Sequence, residues 1–164
     1  MANTDPPGYE TTVVMDAEAM AAAIHHMAQE IAHNVDADSL ALLGILSRGR
    51  PLADRLADAL AEMTGKRPPV GSLGITLYRD DLRAGRVPEK LGGGQTHFDF
   101  SVDGLTVVLV DDVISAGRTV RAALDEIMDY GRPQRIQLAC LVDRGLRELP
   151  IQPDYCGWTV VTRP

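Results

Sequence analysis

Three stretches of this chain are apolar at nearly every position: LALLGIL (40–46), LTVVLV (105–110) and IQLACLV (136–142). Each is short for a helix and lacks the apolar-polar alternation of a strand with one wet face. Each therefore reads as a strand covered on both sides. Helical stripes separate them. Asp16 caps a helix to about Asn34 with Met20, Ile24, Met27 and Ile31 on one face. Pro51 opens a second, lined by Leu52, Leu56, Leu60 and Met63 and closed by Gly65. A third runs from about Arg118 to Tyr130 with Val120, Leu124, Ile127 and Met128, closed by Gly131. Strands alternating with helices predict an α/β fold, a mostly parallel central sheet flanked by helices.

VGSLGITLY (70–78) and YCGWTVV (155–161) supply further strands, and FDFSVDGLTVVLV predicts a hairpin turning at Asp103-Gly104. Residues 79–97, RDDLRAGRVPEKLGGGQTH, carry mixed charge, a proline and three successive glycines, the composition of a long mobile lid. With 164 residues the chain makes one domain, 1–164, whose first residues, 1–11, form a flexible tail.

Chemistry is expected where loops leave the carboxyl ends of parallel strands. Three qualify: SRGR after 40–46, DDVISAGRT after 105–110 and DRGLREL after 136–142. In the second, Ser115, Ala116 and Gly117 permit a tight turn whose N–H groups converge, with Arg118 and Thr119 opening a helix. That combination binds a phosphate. Asp111 and Asp112 cannot bind phosphate directly, but carboxylates accept hydrogen bonds from vicinal hydroxyls and hold water on a Mg²⁺ ion. Phosphate on one side and carboxylates on the other describe a ribose 5-phosphate site. No GxxxxGK[ST] occurs and no GxGxxG follows a strand, which argues against a P-loop ATPase or a dinucleotide domain. LGGGQ (91–95) follows no strand and reads as flexible.

The remaining features exclude other classes. A formal charge of −7 disfavours broad nucleic-acid binding. No apolar run reaches the ~20 residues of a membrane span, and the amino terminus lacks a signal-peptide pattern, so no membrane partner and a cytoplasmic location are expected. Cys140 and Cys156 read as free thiols, and His25, His26, His33 and His97 lack the spacing of a ligand set.

The string VVLVDDVISAGRT (107–119) resembles the phosphoribosyl pyrophosphate (PRPP) motif of type I phosphoribosyltransferases. GITLYRDDL (74–82), GRPQRIQLACLVDRGLRELPIQPDY (131–155) and GILSRG (44–49) are similar to the bifunctional pyrimidine operon regulator/uracil phosphoribosyltransferase (PyrR) family. The resemblance runs from about residue 12 to 157. It implies the type I phosphoribosyltransferase fold with a lid loop and small hood, PRPP and uracil as substrates, UMP as product and Mg²⁺ bound mainly through PRPP. It also implies assembly as a homodimer or higher oligomer and, in many members, binding to leader mRNA of pyrimidine genes with UMP or UTP as effector.

Carried onto this chain, the resemblance assigns Asp111 and Asp112 to the ribose and Ser115, Ala116, Gly117, Arg118 and Thr119 to the 5-phosphate. Ser47, Arg48 and Gly49 take the pyrophosphate, and Arg79 closes over it. Ile114, Asp143 and Arg144 border the base or metal; Arg132, Arg135 and Arg147, with Arg144, are candidates for an RNA-facing patch around the third loop. The chain departs from the family's pattern in four places. Ser115-Ala116-Gly117 stands for Tyr-Thr-Gly, and Leu46 replaces a polar residue. CGWTVVTRP stops short of a base-pocket segment, which is then shortened or completed differently, and the first helix presents His25, His26, Gln29 and Asn34 instead of arginines. Two readings follow: a Mg²⁺-dependent uracil phosphoribosyltransferase, or a nucleotide- or PRPP-sensing RNA-binding attenuator with little catalysis. Orotate as substrate has only the phosphate loop behind it.

Overall fold

The computed structural model describes residues 15–77, 89–91 and 95–160. Five parallel strands form its sheet in the order β2-β1-β5-β6-β7: β1 Leu40–Ile45, β2 Val70–Leu73, β5 Thr106–Ile114, β6 Arg135–Asp143 and β7 Tyr155–Thr159. Alternate residues of the apolar runs supply the two faces. Leu42, Val108 and Val110 pack under α1 (Ala17–Asn34) and α2 (Gly49–Thr64). Leu43, Val107 and Leu109 pack with Val120, Ala123 and Ile127 of α3 (Arg118–Met128). Both faces are covered, which is why these runs show no alternation.

Local signals behave as their chemistry requires. Asp16 Oδ1 accepts from Ala19 N at 2.7 Å and starts α1, and Gly65 ends α2 at φ 77°. The second helix begins at Gly49, so Pro51 sits inside its first turn instead of opening it.

Three expectations are corrected. The segment 70–78 breaks at Gly74: β2 stays in the main sheet, while β3 (Ile75–Leu77) pairs antiparallel with β4 (Glu89–Leu91) in a separate two-stranded sheet. The predicted hairpin is absent from the described residues. Its turn exists, with Gly104 at φ 73°, but over Thr106–Val110 β5 is flanked by β1 and β6 and has no edge there to offer an antiparallel partner. The preceding residues pack instead, with Phe98 against Phe100 and Tyr130 at 5.2 Å each, and only His97 bridges to Ser72. Met128, assigned to the buried stripe of α3, is 58% exposed, and Ala123 is buried in that helix's face.

The tail 1–11, Arg79 and the lid residues 79–88 and 92–94 lie outside the described residues.

Candidate functional site

The register of β5 creates the site. Its pairing with β1 ends at Gly44↔Val110, whereas its pairing with β6 continues to Ile114↔Asp143. Beyond Val110 the strand therefore has one edge without a neighbouring strand among the described residues, and Asp111 and Asp112 lie on that stretch, within the strand and not in a loop as the sequence suggested. Beside it opens a cavity of about 260 Å³ lined by Ile45, Leu46, Ser47, Arg48, Ile75, Asp111, Asp112, Val113 and Thr119.

Two glycines bring the far wall in. A Cβ on Gly49 would sit 2.2 Å from the Val110 carbonyl oxygen, and one on Gly44 would sit 2.5 Å from Arg50 Cα. Only residues without side chains let the β1–α2 turn run against β5 this closely. The Leu46–Ser47 peptide within that turn is cis. Arg48 Nη1 then lies 3.7 Å from Asp112 Oδ2 across the cavity mouth.

The two aspartates differ in surroundings. Asp111 is 7% exposed; its Oδ1 accepts from Asp112 N at 2.9 Å, and Asp112 Oδ1 accepts from Val113 N at 2.8 Å. Burial, followed by the hydrogen bond and charge of Asp112, pushes the Asp111 carboxyl up to about 8. A carboxyl shifted in that direction favours its protonated form, which can donate as well as accept.

On the next side, Gly117 adopts φ 96° as the residue before α3, and no side chain caps that helix start. Its first N–H groups are left for a ligand or water. Thr119 reaches the cavity wall, while Arg118 turns away to pair with Glu148 at 2.7 Å.

In the third loop, Asp143 Oδ2 meets Arg147 Nη2 at 2.8 Å and Oδ1 accepts from Gly145 N at 2.9 Å. The Arg147 hydrogen bond holds the Asp143 carboxyl below its ordinary range. Arg144 is exposed and its N–H donates to Ile114 O at 2.9 Å, joining this loop to β5. Ile114 itself is buried.

Ser47, Arg48, Asp111, Asp112 and Thr119 therefore meet in one cavity, as expected from their positions after strands. The arginine patch does not form. Arg132 and Arg135 lie at the amino end of β6 and Arg144 and Arg147 beyond its carboxyl end, with a nine-residue strand of roughly 26 Å between them. Arg147 is moreover turned inward, 18% exposed. Ile75 and Val113 add to the cavity's apolar wall; they lie inside the strings GITLYRDDL and DDVISAGRT, but neither carries a polar group that would single it out.

Carboxylate oxygens beside the cavity suit a hard cation such as Mg²⁺, but among the described residues no cluster of three or more His, Cys, Asp or Glu could cage one. That donor set fits an ion held largely by substrate oxygens and water.

Comparison with known proteins agrees with this geometry. The phosphoribosyl transferase domain family matches residues 11–161. Proteins named bifunctional protein PyrR are similar at half identity: 53% in Roseiflexus sp. (91% of this chain, 81% of that protein) and 51% in Thermus thermophilus (91% and 82%). A hypoxanthine-guanine phosphoribosyltransferase structure from Bacillus anthracis superposes with TM-score 0.70 at 15% identity, over 92% of this chain and 84% of that one. A purine phosphoribosyltransferase from Pyrococcus horikoshii gives 0.64 at 20% identity, over 89% and 85%.

Proposed function

The chain belongs to the phosphoribosyl transferase family and, within it, to the PyrR group, and we propose that it transfers the phosphoribosyl group of PRPP to uracil, giving UMP and pyrophosphate. The observation that carries this reading is the single cavity in which the 46–49 turn, the Asp111-Asp112 pair and the start of α3 converge. One ligand with pyrophosphate, ribose diol and 5-phosphate in sequence would touch all three.

Each group then has a task. The N–H groups from Ala116 to Thr119 take the 5-phosphate. The ribose diol lies against Asp111 and Asp112; a protonated and a charged carboxyl side by side can both donate to and accept from hydroxyls. Ser47, Arg48 and Gly49 hold the pyrophosphate, and Arg79 closes over it. As the C1–O bond to pyrophosphate lengthens, positive charge grows on the ribose ring, as in glycoside cleavage. The Asp112 carboxylate favours that state, and Arg48 and Arg79 balance the charge on the departing group. Mg²⁺, carried in on PRPP, would neutralise further pyrophosphate charge. Uracil N1 then forms the new bond to C1 as its N1–H proton passes to water or to the departing pyrophosphate, with Ile114, Asp143 and Arg144 on the side from which the base approaches.

The test is UMP formation from PRPP, Mg²⁺ and labelled uracil, beside an Asp111→Asn/Asp112→Asn control. Turnover that the control loses supports the enzyme; PRPP binding without turnover would sink it. The relatives' name, bifunctional protein PyrR, gives them two functions, and the resemblance makes regulation of pyrimidine genes the candidate for the second. An RNA-binding attenuator as the main function draws less support: the chain is acidic, its arginines are divided between the ends of β6, and the exposed face of α1 carries His25, His26 and Gln29.

A further inference from the structure

The phosphate-binding turn makes contacts on its outer side that the mechanism above does not use. Arg147 reaches it from the connection between β6 and β7. Its Nη1 donates to Ser115 O at 2.9 Å and Gly145 O at 3.1 Å, its Nε to Ile151 O at 2.6 Å, and its Nη2 to Asp143 Oδ2 at 2.8 Å and Gln152 Oε1 at 2.6 Å. A guanidinium has five N–H donors, and five acceptors surround this one. Immediately after it, the backbone N–H groups of Glu148 and Leu149 donate to Ala116 O at 3.0 and 3.3 Å. The Glu148 carboxylate also pairs with Arg118 at 2.7 Å.

Peptide geometry turns these contacts into aim. In a trans peptide, the C=O of one residue and the N–H of the next point in opposite directions across a rigid plane. Drawing Ser115 O outward to Arg147 directs Ala116 N–H inward; drawing Ala116 O outward to Glu148 and Leu149 directs Gly117 N–H inward. Those are the first two donors of the 5-phosphate turn. Two small residues and a glycine at φ 96° have little stiffness of their own, so the orientation is set by what holds their carbonyls.

We propose that Arg147 is a positioning residue that aims the phosphate-binding N–H groups by holding the Ser115 carbonyl, and that it ties this aim to Asp143 of the third loop. The proposal rests on the phosphoribosyl reading of the site. Lysine cannot substitute fully, because a single ammonium can reach Asp143 or the carbonyl cluster but cannot span both as a planar fork does.

The experiment separates the two phosphate subsites with two probes, ribose 5-phosphate and pyrophosphate with Mg²⁺, each titrated by phosphorus NMR or calorimetry. In Arg147→Gln, ribose 5-phosphate affinity falls by about tenfold or more while pyrophosphate affinity stays within about twofold. Arg147→Lys falls between Gln and the wild type on the first probe and matches the wild type on the second. A general loss of structure lowers both affinities together; such an equal loss, or unchanged ribose 5-phosphate binding, overturns the proposal. If Arg147→Gln does not fold, the ratio of the two probes in Arg147→Lys decides in the same way. A wild-type protein that binds neither probe overturns the phosphoribosyl reading and this proposal together. One that binds both yet makes no UMP removes only uracil, and the ratio still decides the role of Arg147.

Discussion

The two turns proposed to take phosphate groups are built in opposite ways. The turn at 46–49 is pressed against β5 at one point, Gly49, but its Arg48 side chain is 82% exposed and reaches Asp112 only at 3.7 Å. The turn at 115–119 has two consecutive carbonyls held from behind and an ion pair beside them. The difference follows the chemistry proposed for each. A 5-phosphate remains on the ribose from start to finish and rewards a fixed nest, whereas pyrophosphate must be held and then released, which favours a long side chain free to move.

The largest effect is expected where the two turns share a neighbour. Asp112→Asn should lower UMP formation by about 10²–10³-fold with melting temperature nearly unchanged, because it removes a charge aligned with the transition state from a partly exposed position. Retention of most of the turnover would place the reaction centre elsewhere. Gly49→Ala comes next: its methyl must displace the Val110 carbonyl, and we expect a loss of about 2–4 kcal/mol and roughly 6–12 °C in thermal melting. A neutral result would show that this turn is free to back away from β5.

Asp111→Asn sharpens the comparison through pH. The folded-state pKa of about 8 lies above the unfolded value near 4, so the group's favourable contribution is complete below about pH 4 and is lost as pH rises towards 8. Relative to the wild type, the Asn variant should therefore gain a few degrees in melting temperature at pH 8 and nothing near pH 4. A pH-independent difference would mean that Asp111 does not hold its proton in the fold. The smallest stability effect belongs to Arg48→Gln, within about 0.5 kcal/mol for so exposed an ion pair, while pyrophosphate binding weakens several-fold in calorimetry. A large melting shift there would contradict the picture of a loosely held arginine.

How much of this could be read from the residues depended on the range of the interaction. Runs buried on both faces and helix caps are local, so β1, β5, β6 and α1 were legible, and the meeting of Ser47, Arg48, Asp111 and Asp112 at one cavity follows from where those strands end. The hairpin was misread because its fate depends on sheet order: β5 is already flanked by β1 and β6, a long-range fact with no local signature. Arg147 was misplaced for a related reason. Its partner Ser115 is 32 residues away and offers a backbone oxygen, which no side-chain pattern announces. Arg132 and Arg135 look near Arg144 and Arg147 along the chain, yet an intervening strand carries them to the other end of the sheet.

Because all five strands of the main sheet point the same way, the cavity and the loops around it gather at the strands' carboxyl ends. Exposed Arg132, Gln134 and Arg135 lie at the opposite end, a strand's length from the cavity. A fluorophore or surface tether attached at Gln134 would leave both turns of the proposed site open to solvent, which makes that position the natural handle for testing ligand binding on a labelled or immobilised protein.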